Sequence, residues 1–242
     1  MASTSERTFG NRLEIGRKLL DYVKTLSDYA PENPAIQVEP FGQLLADIGK
    51  ANDAVTKKSA LLKDARERRR ELYYGDKGLT LLMPMIRDFM GTLPDGKKTS
   101  AYTMIQKECR KITGGKIPKK EIPPEKANAA VAKKSISQSE KSYGSLYQAG
   151  MNILELIRAI PNYKPANPAM SVAAFEKKLQ DIEAANHAVN TYLSESVDAI
   201  RRRHELYESD NGLTPLMQTI KEFVRSTYGR NSDEYKYISR IK

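Results

Sequence analysis

The sequence predicts an all-α protein in which one helical unit is present twice. Shifting the chain by 134 positions aligns Tyr29–Met90 with Tyr163–Val224 without a gap, and 29 of the 62 aligned positions are identical. Apolar residues recur at steps of three and four in both halves, which is typical of amphipathic helices. No alternating apolar run is long enough to predict a strand. We therefore predict two tandem, internally duplicated four-helix bundles.

The duplication also predicts the domain boundaries. Residues 1–112 would form the first bundle and residues 139–242 the second. The intervening residues 113–138 are rich in Lys, Pro and Ala and have no counterpart in the repeat, so they are predicted to be a linker. A short helix at 126–134 is compatible with their composition.

The four helices of each copy are predicted from apolar spacing and from the residues that break it. The first helix ends before a turn with two prolines, at 30–34 and again at 164–168. The third helix of the second copy has Thr214 as its predicted N-cap. The fourth begins near Thr99 and Ser232.

The second helix is predicted to be about thirty residues long, with a coiled-coil-like apolar seam. The seam positions in the first copy are Phe41, Leu45, Ile48, Asn52, Val55, Ser59, Leu62, Arg66, Arg69 and Tyr73. Those in the second copy are Phe175, Leu179, Ile182, Asn186, Val189, Leu193, Ser196, Ile200, Arg203 and Tyr207.

Polar residues retained at seam positions predict a structural polar layer. Asn52 and Asn186 are equivalent, and a single amide in an apolar seam typically sets the register of the helices. Arg69 and Arg203 are also equivalent and would need an acid or carbonyl partner when buried. The alternative is a ligand or partner contact that was duplicated with the fold.

Two arginine clusters are candidates for contact with a partner or with nucleic acid. The candidate residues are Arg66, Arg68, Arg69, Arg70, Arg201, Arg202 and Arg203, together with Lys119 and Lys120 of the predicted linker. The alternative interpretation is structural, because cations at the end of a long helix interact favourably with its dipole. Glutamates that stand next to these arginines in the sequence also lower the local positive charge.

The net charge of +10 is unevenly distributed. Residues 1–112 carry +5, residues 113–142 carry +4 and residues 143–242 carry +1. Much of the basic excess therefore lies in one short stretch, which weakens an inference from the isoelectric point to a nucleic-acid surface.

The sequence contains no recognisable catalytic, cofactor or metal site. The only cysteine, Cys109, excludes an intrachain disulfide and a cysteine-based zinc site. Glu183 and His187 are four residues apart, but no second pair completes a metal site. Residues 91–99 resemble a phosphate-binding loop, yet Lys98 replaces the required Ser or Thr and no strand precedes them.

The chain is expected to be cytoplasmic, because it has no apolar signal region and no apolar stretch long enough to cross a bilayer.

Four short motifs, three of them repeated, resemble a group of bacterial tandem helical-repeat proteins without an assigned activity. These motifs are Ser-x-Ser-Glu before Phe-Gly or Tyr-Gly, Arg-Arg before Glu-Leu-Tyr, Gly-Leu-Thr-x-Leu-Met, and the segment Tyr228–Lys236. The resemblance covers nearly all of both copies. It implies a bacterial cytoplasmic protein and carries no mechanism.

The helical unit is duplicated, and no set of catalytic residues is recognisable in either copy. We therefore predict a non-enzymatic interaction or scaffold protein. Two related surfaces can raise avidity toward a protein partner or a second copy of the chain. The alternative is a nucleic-acid-binding accessory protein that uses the basic linker and the arginine clusters. A helical-bundle enzyme with a carboxylate metal site is a third hypothesis.

Overall fold

A computed structural model describes residues 4–113, 142–161 and 163–241, with the side chains of residues 4–8 and 113 excluded. These residues form helices and contain no strand, which confirms the all-α prediction. The α-helices are α1 (Thr4–Val23), α2 (Val38–Tyr74), α3 (Leu79–Thr92), α4 (Ser100–Thr113), α5 (Tyr143–Arg158), α6 (Val172–Glu208), α7 (Leu213–Tyr228) and α8 (Asp233–Arg240).

The predicted proline turns separate the first and second helices of each copy. Short 3-10 helices occupy Pro34–Ile36 and Pro168–Met170. Each is capped by an asparagine. The side chain of Asn33 accepts a hydrogen bond from the backbone amide of Ala35, and that of Asn167 from the amide of Ala169, both at 3.0 Å. The long helices α2 and α6 then each run for 37 residues, somewhat longer than predicted.

The third helix begins earlier than predicted in the second copy. Gly212, rather than Thr214, is the N-cap of α7, so that prediction was wrong. A Cβ on Gly212 would lie 2.8 Å from the carbonyl carbon of Tyr207 and 2.9 Å from the amide nitrogen of Glu208. The chain therefore turns too tightly between α6 and α7 for a side chain at this position.

The contacts divide the chain into two compact units that do not follow the predicted domain boundaries. Unit 1 comprises residues 1–63 and 190–242, and unit 2 comprises residues 64–189. The prediction placed residues 1–112 and 139–242 in separate bundles. Each unit instead combines helices of both copies, because α2 and α6 are each divided between the two units.

The core of unit 1 joins α1 and the first part of α2 with α7, α8 and the last part of α6. Its buried residues are Leu13, Leu19, Leu20, Val23, Ile36, Phe41, Leu45, Ile48, Tyr207, Leu213, Leu216, Ile220, Val224 and Ile238. Copy one supplies the first eight and copy two the remaining six. Neither copy contains the whole of this core.

The core of unit 2 has the reciprocal composition. Tyr73, Leu79, Leu82, Met83, Ile86, Met90, Ile105 and Cys109 come from the first copy. Leu146, Ala149, Ile153, Leu154, Ile157, Tyr163, Met170, Phe175, Leu179 and Ile182 come from the second. The same apolar faces predicted from the sequence are therefore buried, but against partners from the other copy.

The predicted seam is displaced by one residue in the middle of the long helices. Leu62 and Ala65 are buried, whereas Ser59 and Arg66 are exposed. Between the buried residues Val55 and Tyr73, a seam of three- and four-residue steps can pass either through positions 58 and 65 or through positions 59 and 66. Periodicity alone therefore left the path open at this point.

The mid-helix glycines Gly16 and Gly150 allow close approach between helices. A Cβ on Gly16 would lie 2.7 Å from a methyl of Leu45 and 2.9 Å from a methyl of Leu213. A Cβ on Gly150 would lie 2.7 Å from Leu179 and 3.3 Å from Leu79. In both units the glycine thus accommodates a leucine from the other copy.

The predicted linker lies outside the described residues, apart from the backbone of Thr113. No helix in the described ranges is long and apolar enough to cross a membrane.

Candidate functional site

In unit 1, the predicted polar layer is a cluster of four side chains from α1, α2 and α6. Asn52 Nδ2 donates a hydrogen bond to the hydroxyl of Tyr207 at 3.0 Å. That hydroxyl donates to the backbone carbonyl of Phe9 at 2.7 Å. The guanidinium carbon of Arg203 lies 4.4 Å from the centre of the Phe9 ring. We call these residues, Asn52, Tyr207, Arg203 and Phe9, cluster 1.

Unit 2 contains the equivalent arrangement, cluster 2, with every residue replaced by its counterpart from the other copy. Asn186 Nδ2 donates to the hydroxyl of Tyr73 at 2.9 Å, and this hydroxyl donates to the carbonyl of Tyr143 at 2.9 Å. The guanidinium carbon of Arg69 lies 4.0 Å from the centre of the Tyr143 ring. The two clusters therefore have nearly the same geometry.

The clusters correct the partner predicted for Arg69, which is half-buried, and Arg203, which is buried. An acid or carbonyl was expected, but Arg69 and Arg203 lie over the aromatic rings of Tyr143 and Phe9. A cation over an aromatic face is stabilised by the negative face of the ring. The sequence did not reveal these pairs because the ring and the arginine belong to different copies.

Both clusters contain buried polar atoms without a hydrogen-bond partner. These atoms are Asn52 Oδ1, Asn186 Oδ1, Arg69 Nε and Arg203 Nε. Arg203 is 8% exposed, and no ion pair involving it is present in the described part of the chain. A buried charge that lacks an opposite charge is costly, and the Phe9 ring is the favourable contact that the structure gives the Arg203 guanidinium.

The electrostatic surroundings of the two tyrosines differ. Burial raises the pKa of Tyr207, while the Asn52 hydrogen bond and the charges of Arg203, Arg12 and Arg17 lower it. Burial likewise raises the pKa of Tyr73, and Asn186 and Arg69 lower it. Cluster 1 thus lies near two arginines that were not among the predicted site residues.

The arginines that were predicted as contacts belong to different units and have different surroundings. Arg66, Arg68 and Arg70 are exposed. Arg201 Nη2 lies 2.8 Å from Asp198, and Arg202 Nη1 lies 3.7 Å from Glu205. Arg69 and Arg203 belong to the clusters described above. Lys119 and Lys120 lie outside the described residues.

The segment resembling a phosphate-binding loop is a tight turn between α3 and α4. Its amides are used internally: Gly96 N donates to Leu93 O at 2.8 Å and Lys98 N donates to Asp95 O at 2.8 Å. A phosphate-binding loop needs such amides to point at the ligand. The turn geometry therefore favours a structural role.

Residues that could hold a metal are not brought together. Within residues 4–113, 142–161 and 163–241, no group of three or more His, Cys, Asp or Glu side chains has suitable geometry. Cys109 is buried in unit 2, and burial raises the pKa of its thiol to about 11. Its thiolate form is thus scarce at neutral pH.

Unit 2 contains a polar surface groove of about 280 Å³ between α4 and α5. Its lining residues are Glu108, Lys111, Gly144, Ser145, Gln148, Ala149 and Asn152. Lys111 Nζ lies 3.0 Å from Glu108 Oε1, so the positive charge of the lysine in this groove is already paired with a carboxylate. The groove has few apolar groups with which to retain a small molecule.

An apolar stripe on α6 is exposed in unit 1. Leu193, Val197 and Ile200 follow each other at i, i+4 and i+7 and are 43%, 55% and 46% exposed. The equivalent positions of α2 carry Ser59, Lys63 and Arg66. Leu193 and Ile200 were predicted to lie in the seam, but the displaced register leaves them at the surface. We call Leu193, Val197 and Ile200 the α6 stripe.

No protein-family model, curated protein or solved structure matches this chain.

Proposed function

We propose that this chain is a cytoplasmic, non-enzymatic interaction protein that binds a protein partner through the α6 stripe. The observation that carries the proposal is the exposure of Leu193, Val197 and Ile200 on one face of α6. Apolar residues at this spacing are the usual contacts of one helix with another in helix-mediated recognition. Exposed apolar residues grouped on one face, unlike scattered ones, mark interaction surfaces.

The difference between the copies supports this assignment. The stripe is polar in the first copy, with Ser59, Lys63 and Arg66 at the same positions. Apolar residues are thus not needed at these positions for a long helix of this repeat to form. Their presence in α6 alone is better explained by a contact with another molecule.

The test is affinity capture from the native host with wild-type protein and a triple variant. In the variant, Leu193→Ser, Val197→Lys and Ile200→Arg introduce the residues of the first copy. We expect a partner that is retained by wild type and lost with the triple variant. Leu81→Ser with Met85→Ser is the matched control, because these residues are 50% and 42% exposed on α3 of unit 2.

Self-association is examined in the same series by size-exclusion chromatography with light scattering. A wild-type dimer that the triple variant converts to a monomer would make a second copy the partner. A strict monomer that enriches no partner, or enriches the same proteins in all variants, would contradict the proposal.

The alternative proposal, a nucleic-acid-binding accessory protein, relies on the predicted basic linker and the arginine clusters. Residues 64–141 carry 18 basic and 10 acidic residues, and thus +8 of the net charge of +10. Phosphate contacts release counterions, so binding would weaken steeply with salt. A filter-binding titration at several salt concentrations decides, and no binding at low salt would eliminate this function.

A further inference from the structure

We propose that unit 1 binds a basic segment of a partner protein at an exposed pair of stacked tyrosines, Tyr22 of α1 and Tyr237 of α8. Glu234 supplies the negative charge that pairs with an arginine or lysine of that segment. We call Tyr22, Tyr237 and Glu234 the tyrosine site. The proposal is independent of the α6 stripe, because the two surfaces share no residue and can be altered separately.

The two tyrosine rings lie one over the other. Their centroids are 4.4 Å apart and their planes differ by 29°. The Tyr22 hydroxyl donates a hydrogen bond to the backbone carbonyl of Glu234 at 3.3 Å, which joins α1 to α8 at this point. Tyr237 is 57% exposed although one of its faces covers Tyr22, so its other face is open to solvent. An open aromatic face can receive a cation.

Carboxylates lie beside the open ring. Asp233 and Glu234 precede Tyr237 by four and three residues on α8, so the three side chains are neighbours on the helix surface. Within the described residues Glu234 has no ion pair, whereas Asp233 contacts Lys236 at 3.4 Å in an exposed pair. Burial raises the pKa of Tyr22, and the charges of Glu234 and Asp233 raise it further. The stacked rings therefore lie in a negative potential, which attracts cations.

Unit 2 lacks the tyrosine site. Its equivalent positions carry aliphatic side chains, which in the same order are Leu156, Met104 and Ala101. Met104 is 54% exposed, so the position is at the surface in both units. Two aromatic rings and a carboxylate are thus not needed to pack the first and fourth helices of this repeat. Their joint presence in unit 1 is better explained by a ligand that both groups contact.

The chemistry of the ligand follows from the rings and the carboxylate. A guanidinium or ammonium group is attracted to an aromatic face, and an adjacent carboxylate adds a charge-assisted hydrogen bond. Arginine fits best, because its planar group can stack on Tyr237 while it donates to Glu234. Nucleic acids and anionic membranes are disfavoured here, because Asp233 and Glu234 repel phosphate groups. A basic protein segment is thus the ligand that matches this surface.

The test is a titration of the full-length chain, ¹³C-labelled at its tyrosines, with the peptide Gly-Arg-Gly-Arg-Gly at constant ionic strength. We expect saturable shifts of the ring signals of Tyr22 and Tyr237 in the NMR spectrum. The peptide Gly-Glu-Gly-Glu-Gly has the opposite charge and should cause no saturable shift.

Paired variants separate the contribution of the ring from that of the charge. Tyr237→Met introduces the residue of unit 2 and should weaken binding about fivefold, as followed through Tyr22, because the cation–π contact is lost. Tyr237→Phe keeps the ring and should restore most of this loss. Glu234→Ala should weaken binding about threefold, the value of an exposed ion pair. Glu222→Ala removes the same charge from an exposed position of α7 and should bind like wild type.

The proposal is overturned if the arginine peptide causes no saturable shift, or if the glutamate peptide causes the same shift. It is also overturned if Tyr237→Met and Glu234→Ala bind the arginine peptide as tightly as Glu222→Ala does. The α6 stripe is unchanged in all of these variants, so a failure here is distinct from a failure of the proposed function.

Discussion

Units 1 and 2 have nearly identical polar clusters and different surroundings. The Asn–Tyr hydrogen bonds measure 3.0 and 2.9 Å, and the aromatic pairs Phe9–Tyr207 and Tyr73–Tyr143 have centroid distances of 4.7 and 4.8 Å. Outside the clusters the two units diverge. The comparison indicates that the cluster stabilises the fold, whereas its neighbours, such as Arg17 in place of Met151, differ between the copies.

The same comparison explains why the copies depend on each other. Each asparagine bonds to a tyrosine of the other copy, and each arginine lies over a ring of the other copy. Since buried polar groups need partners, separating the copies would break four hydrogen bonds as well as expose the two halves of each core. The duplication therefore produces two units, each of which is built from both copies.

The largest expected effect comes from Phe41→Ala in unit 1 and Phe175→Ala in unit 2. Both side chains are fully buried. Each substitution should lower the free energy of unfolding by about 3–5 kcal/mol through lost burial and cavity formation. Chemical denaturation measures the loss.

Cys109 distinguishes the two substitutions because it is buried in unit 2. Phe175→Ala should accelerate its reaction with a thiol reagent more than Phe41→Ala does. Equal acceleration would show that the units open together.

Tyr207→Phe should lower stability by about 2 kcal/mol, because it leaves Asn52 Nδ2 and the Phe9 carbonyl without their partner. Tyr73→Phe should have a similar effect in unit 2. A double-mutant cycle of Tyr207→Phe with Asn52→Ala measures the coupling between the copies. Strict additivity would mean that the hydrogen bond across the copies contributes nothing.

Stability should decline at alkaline pH because of Tyr29 and Tyr163. Burial raises the pKa of each to about 12, and each hydroxyl donates to a backbone carbonyl, that of Ile36 or Met170. An unfolded tyrosine ionises near pH 10, so the stabilisation is complete below that pH and is lost between about pH 10 and 12.

For Tyr163, which is buried, the loss should reach about 1 kcal/mol at pH 11. Urea denaturation at pH 8 and 11 measures it, and Tyr163→Phe is the control that removes this contribution. An unchanged pH dependence in the variant would be inconsistent with a buried, protonated Tyr163.

The smallest expected effect distinguishes the two glycines. Gly16→Ala places its methyl under 3.0 Å from two leucines, whereas Gly150→Ala meets only one at this range. Overpacking costs about 1–3 kcal/mol and the gain in helix propensity offsets about 1 kcal/mol of it. Gly16→Ala should thus be destabilising by about 1 kcal/mol and Gly150→Ala nearly neutral in thermal denaturation. The reverse order would contradict the described packing.

The sequence predicted the helices and their apolar faces well, because proline turns and three- and four-residue steps are local signals. It could not predict which faces pack together, since an apolar face such as that of Leu213 and Ile220 fits α1 or its own neighbours equally well by pattern. The proximity of Arg12 and Arg17 to cluster 1 was missed for the same reason, because Tyr207 and Arg203 are distant from them in sequence.

The interleaving of the copies is tested most directly by expressing residues 1–113 and 139–242 as separate chains. We expect neither to be a folded monomer by circular dichroism and light scattering. Each should remain largely unfolded or self-associate, and mixing the two should restore helical structure in a one-to-one complex. A stable, folded monomer of residues 1–113 alone would contradict the account, because it would show that one copy completes its own core.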